Sequence, residues 1–145
     1  MFCSIKKVST TAMASHGNFI LCVDDDSDDL FLLEEAIRQV DPVTPIVQFN
    51  SGVEAIGYLR EAKSHHDLPC VVILDLNMPK MDGKETMQKI KADPALAHVE
   101  VVVLTTSSNP SDKLYFEDRG IRMFTKPMNT KELRSIAEIF VQHCK

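Results

Sequence analysis

Carboxylates stand at the ends of two apolar runs. Asp24-Asp25-Asp26 follows Phe19 to Val23, and Asp75 follows Val71-Val72-Ile73-Leu74. Two further runs, Val99 to Leu104 and Ile121 to Thr125, lead into Thr105 and Lys126. If these runs are parallel strands of one sheet, their C-terminal tips open on a common edge, where open α/β sheets hold their ligands. Carboxylates gathered there repel by about 4 kcal/mol per pair at 4 Å and an effective dielectric near 20, so a cation has to offset them. Mg²⁺ suits carboxylate and carbonyl oxygens and keeps several waters, which leaves coordination for a phosphoryl oxygen. Lys126 adds a fixed positive charge, and the Thr105 hydroxyl can donate to a phosphoryl oxygen. Metal, cation, hydroxyl and nucleophile are together the equipment for phosphoryl transfer onto a carboxylate, and Asp75 is the candidate working residue.

The elements that must position these residues alternate strand and helix five times. Four apolar residues without polar interruption before Asp75 read as a strand buried on both faces. Ser27 can cap a helix whose first turn carries Asp28 and Asp29 and whose inward face is Leu30, Leu33, Ile37 and Val40, stopped by Asp41-Pro42. Ile46 to Phe49 reads as a strand, followed by a helix capped by Asn50 or Ser51 with Val53, Ile56 and Leu59 inward. A helix from about Lys84 to Ala92, with Met87 and Ile90 inward, closes at Asp93-Pro94. Pro110 starts another that ends near Arg119 with Gly120 as its C-cap. Asn129 or Thr130 caps the last, with Leu133, Ile136, Ile139 and Phe140 inward. Such alternation predicts an α/β fold: a doubly wound, flavodoxin-like (βα)5 parallel five-stranded sheet in the order 2-1-3-4-5.

Length and composition narrow the classes. The 145 residues are one domain by length, and 44% apolar content suffices for a core. Residues 1–18 lack periodicity and are expected to be a flexible extension, leaving 19–145 as the domain. Net charge is -5 with scattered basic residues, which argues against nucleic acid. No apolar run approaches the roughly 18 residues of a membrane span, and no signal-peptide core is visible, so a cytoplasmic protein is expected. Cys3, Cys22, Cys70 and Cys144 form no C-x-x-C pair and read as reduced, small apolar residues. The five histidines, His65-His66 included, have no zinc spacing and read as surface residues.

Taken jointly, Val23-Asp24-Asp25, Ile73-Leu74-Asp75-Leu76-Asn77-Met78-Pro79 with Met81-Asp82-Gly83, Val103-Leu104-Thr105 and Lys126-Pro127 resemble the response-regulator receiver domains of two-component signalling, in the CheY-like fold. The resemblance spans Phe19 to about Gln142. It implies that Asp75 is the phosphoacceptor, and that Asp25, Asp75 and the Asn77 backbone carbonyl bind Mg²⁺ while Asp24 holds a metal water. It also implies that Thr105 follows the phosphoryl group, that Lys126 contacts it, and that a cis peptide joins Lys126 to Pro127. The Asn77 to Gly83 loop and the Leu104-Thr105-Thr106-Ser107-Ser108 run look most like single-domain regulators paired with bacterial phytochromes. Implied partners are a sensor histidine kinase, such as a bacterial phytochrome, or a histidine phosphotransfer protein, and a downstream protein target. A homodimer is a family-level expectation, and no nucleic acid or membrane is implied. One departure stands out: Met123 occupies the position three before the lysine where the family carries an aromatic, with Phe124 one further on. Strand alternation puts Phe124 and Lys126 on the same side.

Blander readings accompany these. Asp26, Asp28 and Asp29 read as solvated helix-start charges, and Asp82-Gly83 as turn chemistry. Met78, Met81 and Met87 read as packing around the loop. Asp24-x-Asp26-x-Asp28 with Glu35 imitates a calcium loop but has Asp29 where that loop needs Gly. Phosphate-loop and dinucleotide fingerprints are absent. A haloacid-dehalogenase-type phosphatase would use Asp24 as nucleophile and Asp26 as general acid, yet no acid pair follows Lys126. A binding-only pseudo-receiver would lack an acid or the lysine, and this sequence retains them.

Overall fold

The computed structural model describes residues 7–8, 19–64 and 67–145. Five strands run parallel: β2 (Ile20–Val23), β3 (Ile46–Phe49), β4 (Val71–Leu74), β5 (Val101–Thr105) and β6 (Met123–Thr125). Between and after them lie α1 (Ser27–Val40), α2 (Gly52–Lys63), α3 (Gly83–Ala92), α4 (Pro110–Asp118) and α5 (Thr130–Gln142). The sheet order is β3-β2-β4-β5-β6, which is 2-1-3-4-5 when the parallel strands alone are counted. A sixth strand, β1 (Lys7–Val8), was not expected: it pairs antiparallel with β3, opposite Gln48 and Val47. Backbone hydrogen bonding along an edge asks little of side-chain pattern, so two residues can supply it without periodicity. The rest of the extension expected over residues 1–18 lies outside the described residues, as do Cys3 and the His65-His66 pair.

Alternate residues of each buried strand feed two cores. Leu21, Val23, Val72, Leu74, Val101 and Val103 face α2, α3 and α4, where Leu59, Met87, Ile90 and Phe116 pack. Ile20, Cys22, Ile73, Val102 and Leu104 face α1 and α5, meeting Leu33, Ile37, Ala137 and Phe140. The period-2 alternation of side chains thus divides continuous apolar runs between two helical layers.

Capping chemistry fixes where the helices begin. Asp26, rather than Ser27, caps α1, its Oδ1 accepting the Asp28 and Asp29 N–H groups at 2.9 and 3.2 Å. Ser51, Asp82, Asn109 and Asn129 cap the other four helices. Gly120 ends α4 at φ +69°, a conformation glycine takes without a Cβ penalty.

Two inward faces differ from expectation. Val53 is 53% exposed because α2 turns Ala55, Ile56, Leu59 and Ala62 to the sheet, which places Val53 on the opposite side. In α5 the buried positions are Leu133, Ala137, Phe140 and Val141, and Ile139 falls off that stripe. Two cysteines also depart from the reduced reading: Cys70 and Cys144 form a disulfide, with Cα atoms 5.2 Å apart. Cys70 leads into β4 and α5 ends beside it, a proximity that a separation of 74 residues conceals. Cys22 is buried and unpaired, and burial, reinforced by Glu34 and Asp24, pushes its thiol up.

Candidate functional site

Adjacent tips of β2 and β4 carry the first acids. Ladder hydrogen bonds continue one residue past each strand, Asp24 N–H donating to the Phe49 carbonyl at 3.1 Å and Asp75 N–H to the Val23 carbonyl at 3.0 Å. Both acids are therefore fixed by main chain as well as by packing. Asp24 and Asp75 are buried, whereas Asp25 is exposed. Ligand oxygens of Asp24, Asp25 and Asp75 lie within 4.8 Å of one another. Asp75 Oδ1 is buried without a hydrogen-bond partner. A buried carboxylate oxygen left unsatisfied beside two more acids is a donor set that fits a hard divalent cation.

Lys126 reaches the same place from β6, its own N–H donating to the Thr105 carbonyl at 2.8 Å. Its Nζ lies 2.7 Å from Asp24 Oδ2, 2.7 Å from Asp29 Oδ2 and 3.8 Å from Asp75 Oδ2. Asp29 is thus no solvated helix-start charge. The Asp26 cap sets the first turn of α1 beside the β6 tip, and α1 shares a sheet face with α5. The 2-1-3-4-5 order carries that signal, since it puts the helix after the first acids next to the lysine.

Burial and pairing pull these groups in different directions. Burial dominates at Asp24 and pushes its carboxyl up to about 6 against the Lys126 hydrogen bond, with Asp75 adding to the rise. For Lys126 burial is also the largest influence and acts downward, but hydrogen bonds to Asp24 and Asp29 and the charges of Asp24 and Asp75 outweigh it. Its ammonium is therefore held above the ordinary lysine range. The asymmetry follows from the neighbours of each: Asp24 has the one ammonium against its burial and the charge of Asp75, whereas carboxylates alone surround the Lys126 ammonium.

Thr105 is buried at the β5 tip, and its Oγ1 accepts the Ser107 N–H at 3.2 Å. The hydroxyl proton remains to be donated. Asn77 is exposed in the loop after β4. That loop is drawn tight by Gly83 N–H donating to the Leu76 carbonyl at 2.9 Å, and Lys80 within it takes φ 69°. Asp82 caps α3, its Oδ1 accepting the Glu85 N–H at 2.9 Å. Asp26 is likewise engaged as a cap, on α1.

One expectation around Lys126 is corrected, and the strand alternation around it holds. Every described peptide bond is trans, Lys126-Pro127 included. A tertiary amide separates the isomers by only about 0.5–1 kcal/mol, so local contacts decide between them, and here Lys126 meets its carboxylates in the trans form. Phe124 packs edge-on against Phe140 at 5.2 Å with Arg122 over its ring, on the α1 and α5 face. Met123 packs on the other face, with Val103 and Phe116. Alternation from Val103 puts Thr105 toward that second face as well, so Met123, not Phe124, shares the side of Thr105.

The response regulator receiver domain family matches residues 20–138. Response regulator Rcp1 of Synechocystis sp. is 32% identical over 117 residues, covering 79% of this chain and 80% of Rcp1. Among solved structures, the phosphorylated cyanobacterial phytochrome response regulator RcpA aligns with a TM-score of 0.77 at 34% identity, over 86% of this chain and 91% of RcpA. The Mn(2+)-bound form of Rcp1 aligns at 0.75 and 30% identity, over 86% and 92%.

Proposed function

The chain belongs to the response regulator receiver domain family, and from that premise we propose that Asp75 is the residue that accepts the phosphoryl group. The protein is a signalling receiver of two-component phosphorelays, served by a histidine kinase. One observation carries the assignment: Asp24, Asp25 and Asp75 converge within 4.8 Å, with the Lys126 ammonium 3.8 Å from Asp75 and one Asp75 oxygen left without a partner.

An Asp75 carboxylate oxygen forms the bond to phosphorus as the phosphorus–nitrogen bond of the donor phosphohistidine breaks, the imidazole nitrogen keeping the electron pair. Lys126 binds a phosphoryl oxygen, and the Thr105 hydroxyl donates to another. Asp25, Asp75 and the Asn77 carbonyl would hold Mg²⁺, with Asp24 through a water. When bound, that ion neutralises charge on the phosphoryl oxygens. The Mn(2+)-bound form of Rcp1 and the acidic cluster support a divalent ion here. Asp75 self-phosphorylation from small donors and loss of the group to water are the only reactions in this reading.

The likeness to RcpA supports a phytochrome-type kinase as the phosphoryl source, with a histidine phosphotransfer protein as the other candidate donor. The change at Asp75 then alters a surface that binds a downstream protein or a second copy. Residues 19–145 form the receiver and residues 1–18 an extension that lends β1 to the sheet. Among the described residues no helix is long and apolar enough to cross a membrane, and the reading carries a cytoplasmic setting with it.

Incubation with acetyl phosphate and Mg²⁺ should add one phosphoryl group to the intact protein, read by mass spectrometry, and Asp75→Asn or a chelator should abolish the addition. Undiminished labelling of Asp75→Asn overturns the assignment.

A further inference from the structure

We propose that Asp29 is a positioning residue that holds Lys126 in a resting place, and that it has to give the ammonium up when Asp75 carries a phosphoryl group. The inference rests on the assignment of Asp75 above and concerns a residue outside the acid pair, threonine and lysine of that reading.

Distances motivate it. Lys126 Nζ sits at 2.7 Å from Asp29 Oδ2 and 2.7 Å from Asp24 Oδ2, yet 3.8 Å from Asp75 Oδ2. An ammonium has three protons, and two are directed to these nearer carboxylates. Asp29 is not a drifting surface acid. The Asp26 side chain takes its N–H, and the next residue, Leu30, is buried against the sheet, which fixes the turn that presents the carboxylate. The Lys126 side chain is only 13% exposed and that of Asp29 34%, so the pair is screened less than a fully solvated one.

The two neighbours of Lys126 differ in fate. Asp24 belongs to the acid cluster, and a cation bound there would engage its carboxylate through a water. Asp29 lies outside that cluster, and among the described residues its carboxylate is paired with Lys126 alone. A phosphoryl group on Asp75 brings three strong acceptor oxygens and added negative charge, and these compete with Asp29 for the same ammonium. Asp29 thus opposes the phosphorylated arrangement while keeping the cation within about one ångström of hydrogen-bonding reach of Asp75.

Beryllofluoride, a phosphoryl mimic, tests this in the presence of saturating Mg²⁺. Asp29→Asn should bind it about 3- to 10-fold more tightly than the wild type, the effect of removing one partly exposed competing ion pair. Mg²⁺ affinity without beryllofluoride should change less than about 2-fold, because Asp29 lies outside the acid cluster. Asp29→Glu should restore the wild-type affinity in part, and Asp29→Ser serves if Asn disturbs the fold. In a Lys126→Met background the gain from Asp29→Asn should vanish, since the competition acts through the ammonium. Equal or weaker beryllofluoride binding by both Asp29→Asn and Asp29→Ser overturns the inference, as does an undiminished gain in the Lys126→Met background. A wild-type protein that binds no beryllofluoride overturns the Asp75 assignment and this inference with it.

Discussion

Helices α5 and α4 reach the site from opposite faces of the sheet and are held differently. On one face α5 buries Leu133, Ala137, Phe140 and Val141, α1 buries Leu30, Leu33, Ala36 and Ile37, and Phe140 stacks edge-on with Phe124. Lys126 and Asp29 are the upper end of that packed layer. On the other face α4 buries Phe116 alone. The start of α4 is tied by polar contacts: Ser107 Oγ donates to Asp112 Oδ2 at 3.0 Å, and Lys84 pairs with Asp112 at 2.6 Å. Further along, Tyr115 lies under Arg119, 3.6 Å from its ring centroid, and near Lys84. Apolar burial anchors α5 and with it the lysine side, whereas α4, on the face that Thr105 shares, is held by Phe116 and small polar contributions although α2 and α3 on that face bury Leu59, Met87 and Ile90. Regions of few buried apolar contacts open at low free-energy cost, so the difference assigns adjustability to α4.

The largest effect that can break this contrast is Phe140→Ala, which should cost about 3–5 kcal/mol in urea unfolding. Leu114→Ala on α4, at a residue 60% exposed, should stay within about 0.5 kcal/mol. Similar losses at the two positions would contradict the asymmetry.

A smaller effect is pH-dependent. The Asp24 carboxyl is raised to about 6 in the fold from an ordinary 3.8, so the folded state holds the extra proton between those values. The resulting stability is fully present below 3.8 and is lost as pH rises through about 6. Without metal, the wild type should therefore gain on Asp24→Asn as pH falls across that window, by on the order of 1–2 kcal/mol after solvent screening. Denaturant titrations of both proteins measure the difference, and a loss on acidification would show that the Lys126 pairing outweighs burial.

Smallest of all, Asp112→Asn should change global stability by only about 0.2–1 kcal/mol. Its amide hydrogen-exchange footprint should be confined to α4 and the preceding loop, sharpening the contrast with α5. Acceleration spread across α1 and α5 would refute it.

Much of this was legible in the sequence, for identifiable reasons. Apolar runs ending in Asp24, Asp75, Thr105 and Lys126 encode both the strands and the convergence of their tips, because parallel topology makes one imply the other. The strand order placed the start of α1 near Lys126, but which of its acids meets the lysine was not legible, since Asp28 and Asp29 look alike in a helix's first turn until the cap sets its rotation. Val53 misled because apolar residues also occur on solvent faces, and Ile139 because it is half-buried beside the stripe that α5 turns inward. The Cys70–Cys144 pairing and the Lys7–Val8 strand depend on three-dimensional proximity, which no local pattern records. Phe124 followed the alternation expected of it relative to Lys126, and packing against Phe140 turned that alternation into a definite side.

Gly83 gives the loop after Asp75 a mechanical property. A Cβ there would stand 2.4 Å from the Asp75 carbonyl oxygen and 2.7 Å from the Leu76 Cα, so the first turn of α3 bears on the main chain of Asp75 with no side chain between them. Gly52 makes a comparable close approach one helix further, there against a side chain, where a Cβ would meet the Thr86 Oγ1 at 2.2 Å. The start of α2, the start of α3 and the Asp75 peptide form a row of touching blocks. Neither gap has room for even a methyl group, so the two glycines are spacers of zero thickness, and alanine at either would force its neighbours apart.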